Sequence, residues 1–373
     1  MIYLDSAATT LRKPVAVAEA TARAMQTLAS PGRGGYPAAE AAAQTAFECR
    51  EAAAALFGVS DPERVVFTFN ATHALNIAIR SVVPAGGCAL ISGYEHNAVT
   101  RPLHAIGGVT VKTAAEPLFR PEAMLARFEQ LLTPEVNAVI CTHVSNVFGY
   151  VLPVEELAAL CARRGVPLVV DASQSAGCLP VDAEGWNAAF VAMPGHKGLY
   201  GPQGTGLLLC GDRPARPLLF GGTGSASRAR EMPEFLPDRL EAGTHNMPGI
   251  AGLLEGLRFV RRRGIDRIGE DERALIRRLS DGLCRIDGVT VFSAPEHQAA
   301  VLSFLIDGTD CEAAGRELAR RGIAVRCGLH CAPLAHATAG TLETGTVRAS
   351  VSAFSAAWEI ERLIGEVRAI ASV

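Results

Sequence analysis

The chain has 373 residues, 49% hydrophobic and 20% charged, with a formal net charge of −3 at pH 7. That balance is ordinary for a globular enzyme and gives no electrostatic reason to expect nucleic acid or an anionic membrane as partner. The first residues, M-I-Y-L-D-S-A-A-T-T, lack the charged start and apolar run of a signal peptide, and no uninterrupted apolar stretch reaches the roughly 18 residues that span a bilayer. Ten cysteines in a chain this long do not resemble a secreted disulfide scaffold. Cys88, Cys141, Cys210 and Cys284 sit in apolar runs and read as small buried hydrophobes, so a reducing cytoplasm is the expected compartment.

From about residue 15 to 245, short apolar strands alternate with helical patterns. Strands are predicted at 64–70, 88–92, 109–112, 137–142, 167–171, 188–193 and 206–210, with amphipathic helices such as 121–132 and 154–164 between them. Nearly continuous apolar strands in that alternation imply an α/β fold with a mostly parallel sheet covered on both faces. Past 248 the rhythm changes. Helices at 249–263 and 266–284 precede strands at 289–292 and 300–306, a helix at 310–321, strands at 323–326 and 346–352, and a final helix at 356–371. These patterns predict a large domain over 15–247 and a smaller α+β domain made of 1–14 and 248–373. The loops 31–37 and 220–227 are glycine-rich and read as segments that a partner or ligand orders.

In such sheets ligands bind beyond the carboxyl ends of the strands. After the first strand come Thr72 and His73 at a helix start, where a hydroxyl and N–H groups suit an anion, or where threonine is a plain N-cap. His96 follows the second strand. His143, Ser145 and Asn146 follow 137–142, and Asp171 and Gln174 follow the next. Pro194-Gly195-His196-Lys197-Gly198 comes after 188–193, then G-P-Q-G-T-G, which reads as a turn. There is no Rossmann fingerprint, Walker loop, His-Glu-x-x-His or nucleophile elbow. Together, however, an acid ending one strand, a lysine after the next, and a histidine and a threonine at neighbouring strand ends suit pyridoxal 5'-phosphate. That cofactor needs a lysine for its Schiff base, an acid facing the pyridine nitrogen, a ring stacked on its face and donors for its phosphate.

With these residues the sequence resembles the cysteine desulfurases and selenocysteine lyases of the class V aminotransferase group, fold-type-I pyridoxal phosphate enzymes. The resemblance runs nearly the whole chain. It is carried by Y-L-D-S-A-A-T-T (3–10), F-N-A-T-H-A-L-N (69–76), E-H-N (95–97), S-N-V-F-G (145–149), D-A-S-Q-S-A-G (171–177), G-H-K-G-L-Y-G-P-Q-G (195–204), E-A-G-T-H-N (241–246), G-L-H-C-A-P (328–333) and T-V-R-A-S (346–350). It implies that Lys197 carries the cofactor, Asp171 pairs with its ring nitrogen and His96 stacks on the ring. Gln174 would bond the phenolic oxygen, with Asn146 near that oxygen and the substrate carboxylate. Thr72, His73 and His196 would line the phosphate, and Thr244 would reach across from the second subunit of a homodimer. Arg348 would clamp the substrate carboxylate with its planar guanidinium fork. The chain departs from the family at His73, where glutamate is usual, at Pro194, where serine is usual, and at Ser6, where asparagine is commoner.

The segment R-C-G-L-H-C-A-P-L-A-H (326–336) packs two cysteines and two histidines into a short run. Cys327, His330, Cys331 and His336 offer four zinc ligands in principle, but C-x3-C without a second pair is a poor zinc spacing. A 327–331 disulfide would close too short a loop to act as a staple. The resemblance makes Cys331 the catalytic thiol, with a neighbouring imidazole or positive charge favouring its thiolate, and makes Cys327 a bystander at a strand end. The implied reaction takes sulfur from L-cysteine, leaving L-alanine and a persulfide on Cys331 that a protein or thiol acceptor removes. Selenocysteine lyase, or an aminotransferase or β-lyase on the same scaffold, stands beside it, as does a scaffold protein that merely kept the fold.

Overall fold

A computed structural model describes residues 1–32 and 34–372, so Arg33 of the 31–37 loop lies outside the described residues. Seven strands form the larger sheet in the order Val65–Thr68, Gly206–Cys210, Phe190–Pro194, Leu168–Asp171, Ala138–Thr142, Cys88–Ser92 and Thr110–Ala114. All seven predicted strands are present, with ends shifted by one or two residues. Five run parallel; Gly206–Cys210 runs antiparallel to both neighbours. The reason is local: the link from Pro194 to Gly206 carries no helix, and a parallel return needs a crossover of about a dozen residues or more. Apolar residues on successive positions serve opposite faces. Val139 and Cys141 join one core layer with Phe128 and Leu157, while Ala138 and Ile140 join the other with Leu75 and Val99.

The remaining strands make an antiparallel sheet in the order Arg326–Gly328, Thr346–Ser350, Val301–Ile306, Val289–Phe292. The strand predicted at 323–326 is in fact divided. Ile323–Ala324 pairs in parallel with Ile2–Tyr3, and Arg326–Gly328 joins the four-stranded sheet. Ile2–Tyr3 is too short to show a period in sequence, yet it anchors the N-terminus: Leu4 N donates to Ala324 O at 2.9 Å and Ser350 N to Leu4 O at 2.8 Å. Helix Met247–Arg263 packs against helices Val15–Thr27 and Pro37–Leu56. Cys88, Cys141 and Cys210 are buried as expected, but Cys284 is exposed, because the helix Ile265–Leu283 ends just before it and turns it outward. No helix among the described residues is long and apolar enough to cross a membrane.

One ion pair ties the large sheet to its flanks. Arg50, on helix Pro37–Leu56, donates from both terminal nitrogens to Glu241 at 2.8 and 2.7 Å, and its guanidinium lies 4.1 Å over the Phe67 ring. Glu241 also accepts from Phe67 N at 2.6 Å. Burial alone would raise the Glu241 carboxyl, but His245 and Arg50 outweigh it and hold the group below the ordinary value. Removing one partner strands the other charge in the interior, so Glu241→Gln is expected to destabilise the protein by about 3 kcal/mol in urea unfolding.

Candidate active site

The parallel register sets Asp171 beside Ala192, so the acid ends its strand next to the strand that leads into Lys197. Asp171 is 3% exposed and its Oδ1 accepts from Ser173 N at 2.9 Å. Its other oxygen makes no hydrogen bond among the described residues and is left to the cleft. That cleft is lined by Thr72, His96, Thr142, Asn146, Asp171 and Gln174, and Gln174 also lines an adjoining space with Lys197, Ser6 and Ala7. Burial pushes the Lys197 ammonium down to about 8, against the pull of Asp171. The balance is thereby moved from the ammonium toward the free amine, the form that condenses with a carbonyl.

His96 caps helix Asn97–Ile106: its Nδ1 accepts from Ala98 N at 3.0 Å, which holds the ring at the mouth of the cleft. Burial lowers its pKa, although Asp171 works against that. Gln174 Nε2 donates to Ala7 O at 2.9 Å. At the start of helix Ala71–Val82 the N-cap is Asn70, whose side chain accepts from His73 N at 2.9 Å, not Thr72. The Thr72 hydroxyl thus stays outside the capping bonds. His73 stacks on Phe69 at 4.8 Å, and its Nδ1 accepts from Phe69 N at 3.3 Å. The ring proton then sits on Nε2, a buried donor without a partner. His196 Nδ1 lies 3.0 Å from Thr9 Oγ1, and burial pushes the imidazole down to about 4, helped by Lys197 and Lys13. Thr244 is exposed on the loop before helix Met247–Arg263 and is not brought into this cleft by its own chain.

Arg348, 2% exposed, comes from the small sheet. It donates to Asn146 O at 2.9 Å and to Asp5 Oδ1 at 2.8 Å, while its Nε is buried without a partner. Arg326, paired across the strands with Arg348, also meets Asp5, at 3.0 Å. Asn146 in turn donates to His330 O at 2.9 Å, and Asn97 N, next to His96, donates to Cys331 O at 2.8 Å. The exposed Cys331 is therefore tied to the rim of the cleft. His330 and Cys331 both hold left-handed backbone, φ 51° and 55°, which costs roughly 1–2 kcal/mol per residue. The expected help from the neighbouring imidazole is absent: the His330 ring is buried and turned toward His336 and Arg326 O. Cys327 is packed against Gly315, where an added Cβ would come 2.3 Å from its sulfur, and burial pushes its thiol up to about 12. The two cysteines are unpaired.

These residues fit pyridoxal phosphate. A carboxylate oxygen faces the cleft, a lysine of lowered pKa stands beside it, and the first turn of Ala71–Val82, with Thr72 at the cleft wall, supplies donors suited to a phosphate, whereas the buried His73 Nε2 does not line the cleft. Asp5 and Lys13 were not singled out individually from sequence; Asp5 lies far along the chain from Arg348 and Arg326, and Lys13 from the His196 carbonyl it meets, so no spacing marks either.

The fold and this set of side chains define a class V aminotransferase. The model of the family described as "Aminotransferase class-V" matches residues 2–363, and the chain belongs to that family of enzymes. Its relatives are more particular. A probable cysteine desulfurase of Xylella fastidiosa (strain 9a5c) is 34% identical over 387 residues, spanning 98% of this chain and 89% of its own. One from Mycolicibacterium paratuberculosis is 32% identical over 100% of this chain, which spans only 55% of that longer protein. The apo structure of the cysteine desulfurase from Thermococcus onnurineus NA1 superimposes with a TM-score of 0.90 at 29% identity, covering 100% of this chain and 94% of that one.

Beneath the cleft, Glu95 is fully buried. Its Oε1 accepts from Thr142 N at 2.8 Å and from the Ser92 hydroxyl, and its Oε2 has no partner. Burial pushes the carboxyl up to about 8, against those bonds. A raised folded value means that this group's contribution is fully present below the unfolded pKa and is lost as pH rises through about 8. Glu95→Gln removes the effect. Relative to the variant, the wild type is expected to lose roughly 3 kcal/mol between about pH 5 and about pH 8, measured by urea unfolding across that range.

Proposed function

We propose that the protein is a pyridoxal 5'-phosphate-dependent cysteine desulfurase that converts L-cysteine to L-alanine and holds the sulfur as a persulfide on Cys331. The observation that carries this reading is the exposed Cys331 on a turn bonded through its carbonyl to Asn97 N, one residue from His96. When bound, the cofactor supplies an electron sink for the pair released at the substrate's α-carbon. Lys197 would anchor it and, as a free amine, would move the substrate's α-proton. Asp171 would keep the ring nitrogen protonated, and His96 would cover the ring face. Gln174 and Asn146 would bond the phenolic-oxygen side, and Thr72, His73 and His196 would hold the phosphate. Arg348 orients the substrate carboxylate. The Cys331 thiolate attacks the substrate sulfur: an S–S bond forms, the C–S bond breaks, and the electron pair stays with the product carbon until a proton completes alanine.

The same reading includes a homodimer. Gly243 N donates to Gly222 O at 2.8 Å, joining the exposed Thr244 loop to the 220–227 loop with its 77% exposed Phe220, and this exposed pair of loops is suited to completing a neighbour's site. It also includes a protein or thiol sulfur acceptor, a cytoplasmic setting that keeps thiols reduced, and a division into a large lobe of 15–247 and a small lobe of 1–14 with 248–373, bridged by helix Met247–Arg263.

Purified protein assayed with L-cysteine and with L-selenocysteine, with alanine, sulfide and selenide quantified, tests the reading. Alanine from selenocysteine alone would replace it with selenocysteine lyase. Lys197→Ala is expected to abolish borohydride-fixable cofactor. Cys331→Ser is expected to retain the cofactor yet lose alanine formation from cysteine by at least about 100-fold, while Cys327→Ser keeps activity and loses on the order of 1 kcal/mol of stability. Persulfide mapped to Cys327, or a fully active Cys331→Ser enzyme, would overturn the assignment. Sedimentation showing an active monomer would remove the dimer.

A further inference from the structure

Behind the Cys331 turn lies a pair of histidines that the reaction does not use. His330 Nε2 is 3.3 Å from Arg326 O, and a carbonyl only accepts, so Nε2 carries the proton. His330 Nδ1 is then a bare acceptor, 3.3 Å from His336 Nε2, which donates to it. His336 Nδ1 is left as an acceptor for the Thr341 hydroxyl at 2.7 Å. One carbonyl at the end of the chain thus orders the tautomers of both rings. Thr341 is held in place as well, since its N–H donates to His336 O at 2.8 Å. The rings lie nearly parallel, 5.5 Å apart at 14°, and His336 is fully buried, 5.7 Å from the Phe148 ring.

The relay ends on the residues that present the thiol. His330 and Cys331 are consecutive non-glycine residues in left-handed backbone, which persists only where the surroundings over-determine it. On the front of the turn, Asn146 holds His330 O and Asn97 holds Cys331 O. On the back, only the imidazole relay links the turn to the short helix Pro333–Ala339 and its following loop among the described side-chain bonds. Its other end, Arg326 O, belongs to the residue whose guanidinium shares Asp5 with Arg348.

We propose that His336 is a positioning residue for sulfur transfer: through His330 it locks the left-handed His330–Cys331 turn and so sets where the thiol points, without touching substrate or cofactor. The proposal rests on the reading of Cys331 as sulfur acceptor. The relay works only with His330 neutral, because a proton on its Nδ1 would face the Nε2–H of His336, whereas a proton on His336 Nδ1 would be accepted by the Thr341 hydroxyl oxygen. The charged groups facing it, Arg348 and Arg326, are both cationic and oppose that proton, as burial does.

The test uses holoenzyme and three variants. His336→Phe keeps the apolar packing beside Phe148 and removes both nitrogens; Thr341→Val removes only the outer donor; His336→Gln restores an N–H near the Nε2 position. Three quantities are measured: persulfide on Cys331 in a single turnover by mass spectrometry, cysteine affinity from the cofactor absorbance, and the thermal midpoint. A thiol displaced by about 1 Å can lose on the order of 100-fold in rate. His336→Phe is therefore expected to slow persulfide formation by roughly 10- to 100-fold with cysteine affinity unchanged, Thr341→Val to fall between it and the wild type, and His336→Gln to recover most of the rate. Should His336→Phe fail to fold, Thr341→Val and His336→Gln carry the comparison. Persulfide formation at the wild-type rate in the variants, or a rate loss matched by an equal loss of cysteine affinity, overturns the positioning role while leaving the desulfurase reading intact. A wild-type enzyme that loads no persulfide overturns both.

Discussion

The parallel pairing of Leu168–Asp171 with Phe190–Pro194 is the constraint on which the site depends. Parallel strands bring all their carboxyl ends to one edge, so each loop leaving the sheet there contributes to a single cleft. An acid that ends one strand and an amine that follows its neighbour then meet without any contact between them in sequence. Their environment gives each its chemical state: Asp171 keeps one oxygen free toward the cleft, and burial lowers Lys197 toward the neutral amine. The inverted strand Gly206–Cys210 does not disturb this edge, because it packs outside the five parallel strands.

The second constraint is the register of the small sheet. Arg326 sits opposite Arg348, so two guanidiniums are brought together over one carboxylate, Asp5, delivered by the N-terminal strand. Such a cluster carries an excess of positive charge, with Arg348 buried and Arg326 half exposed, which a substrate carboxylate would neutralise. Arg348 Nε, buried and unpartnered, is part of the same unsatisfied donor set. The strand that carries Arg326 leads directly into the Cys331 turn, so its pairing with Thr346–Ser350 sets the thiol segment beside Arg348.

Buried carboxylates show how far the interior governs charge. Glu95 and Glu272 are both pushed up to about 8 by burial, whereas Glu241, equally enclosed, is held low by Arg50 and His245. The difference is a partner, not depth. Glu95 belongs to a motif visible in sequence, yet its protonation depends on Thr142 and Ser92 and on how little else reaches it.

The amino-acid sequence determined the strand and helix alternation, the sidedness of the large sheet, and the residue types at its strand ends, because these follow from local periodicity and from chemistry at fixed spacing. Asp171 and Lys197 were legible as strand-end residues on those grounds, whereas Cys331 was singled out by the family resemblance of its segment. The two-residue N-terminal strand was not, since two residues carry no period, and neither were the split at 323–328 and the exposure of Cys284. Only the tertiary structure decided that Asn70 rather than Thr72 caps its helix, that Asp5 joins the two arginines, and that His330 turns away from Cys331 toward His336. Each of those outcomes depends on which groups remain unpaired once distant strands have docked, and hydrogen-bond satisfaction in a closed interior is a property of the assembled fold rather than of any segment.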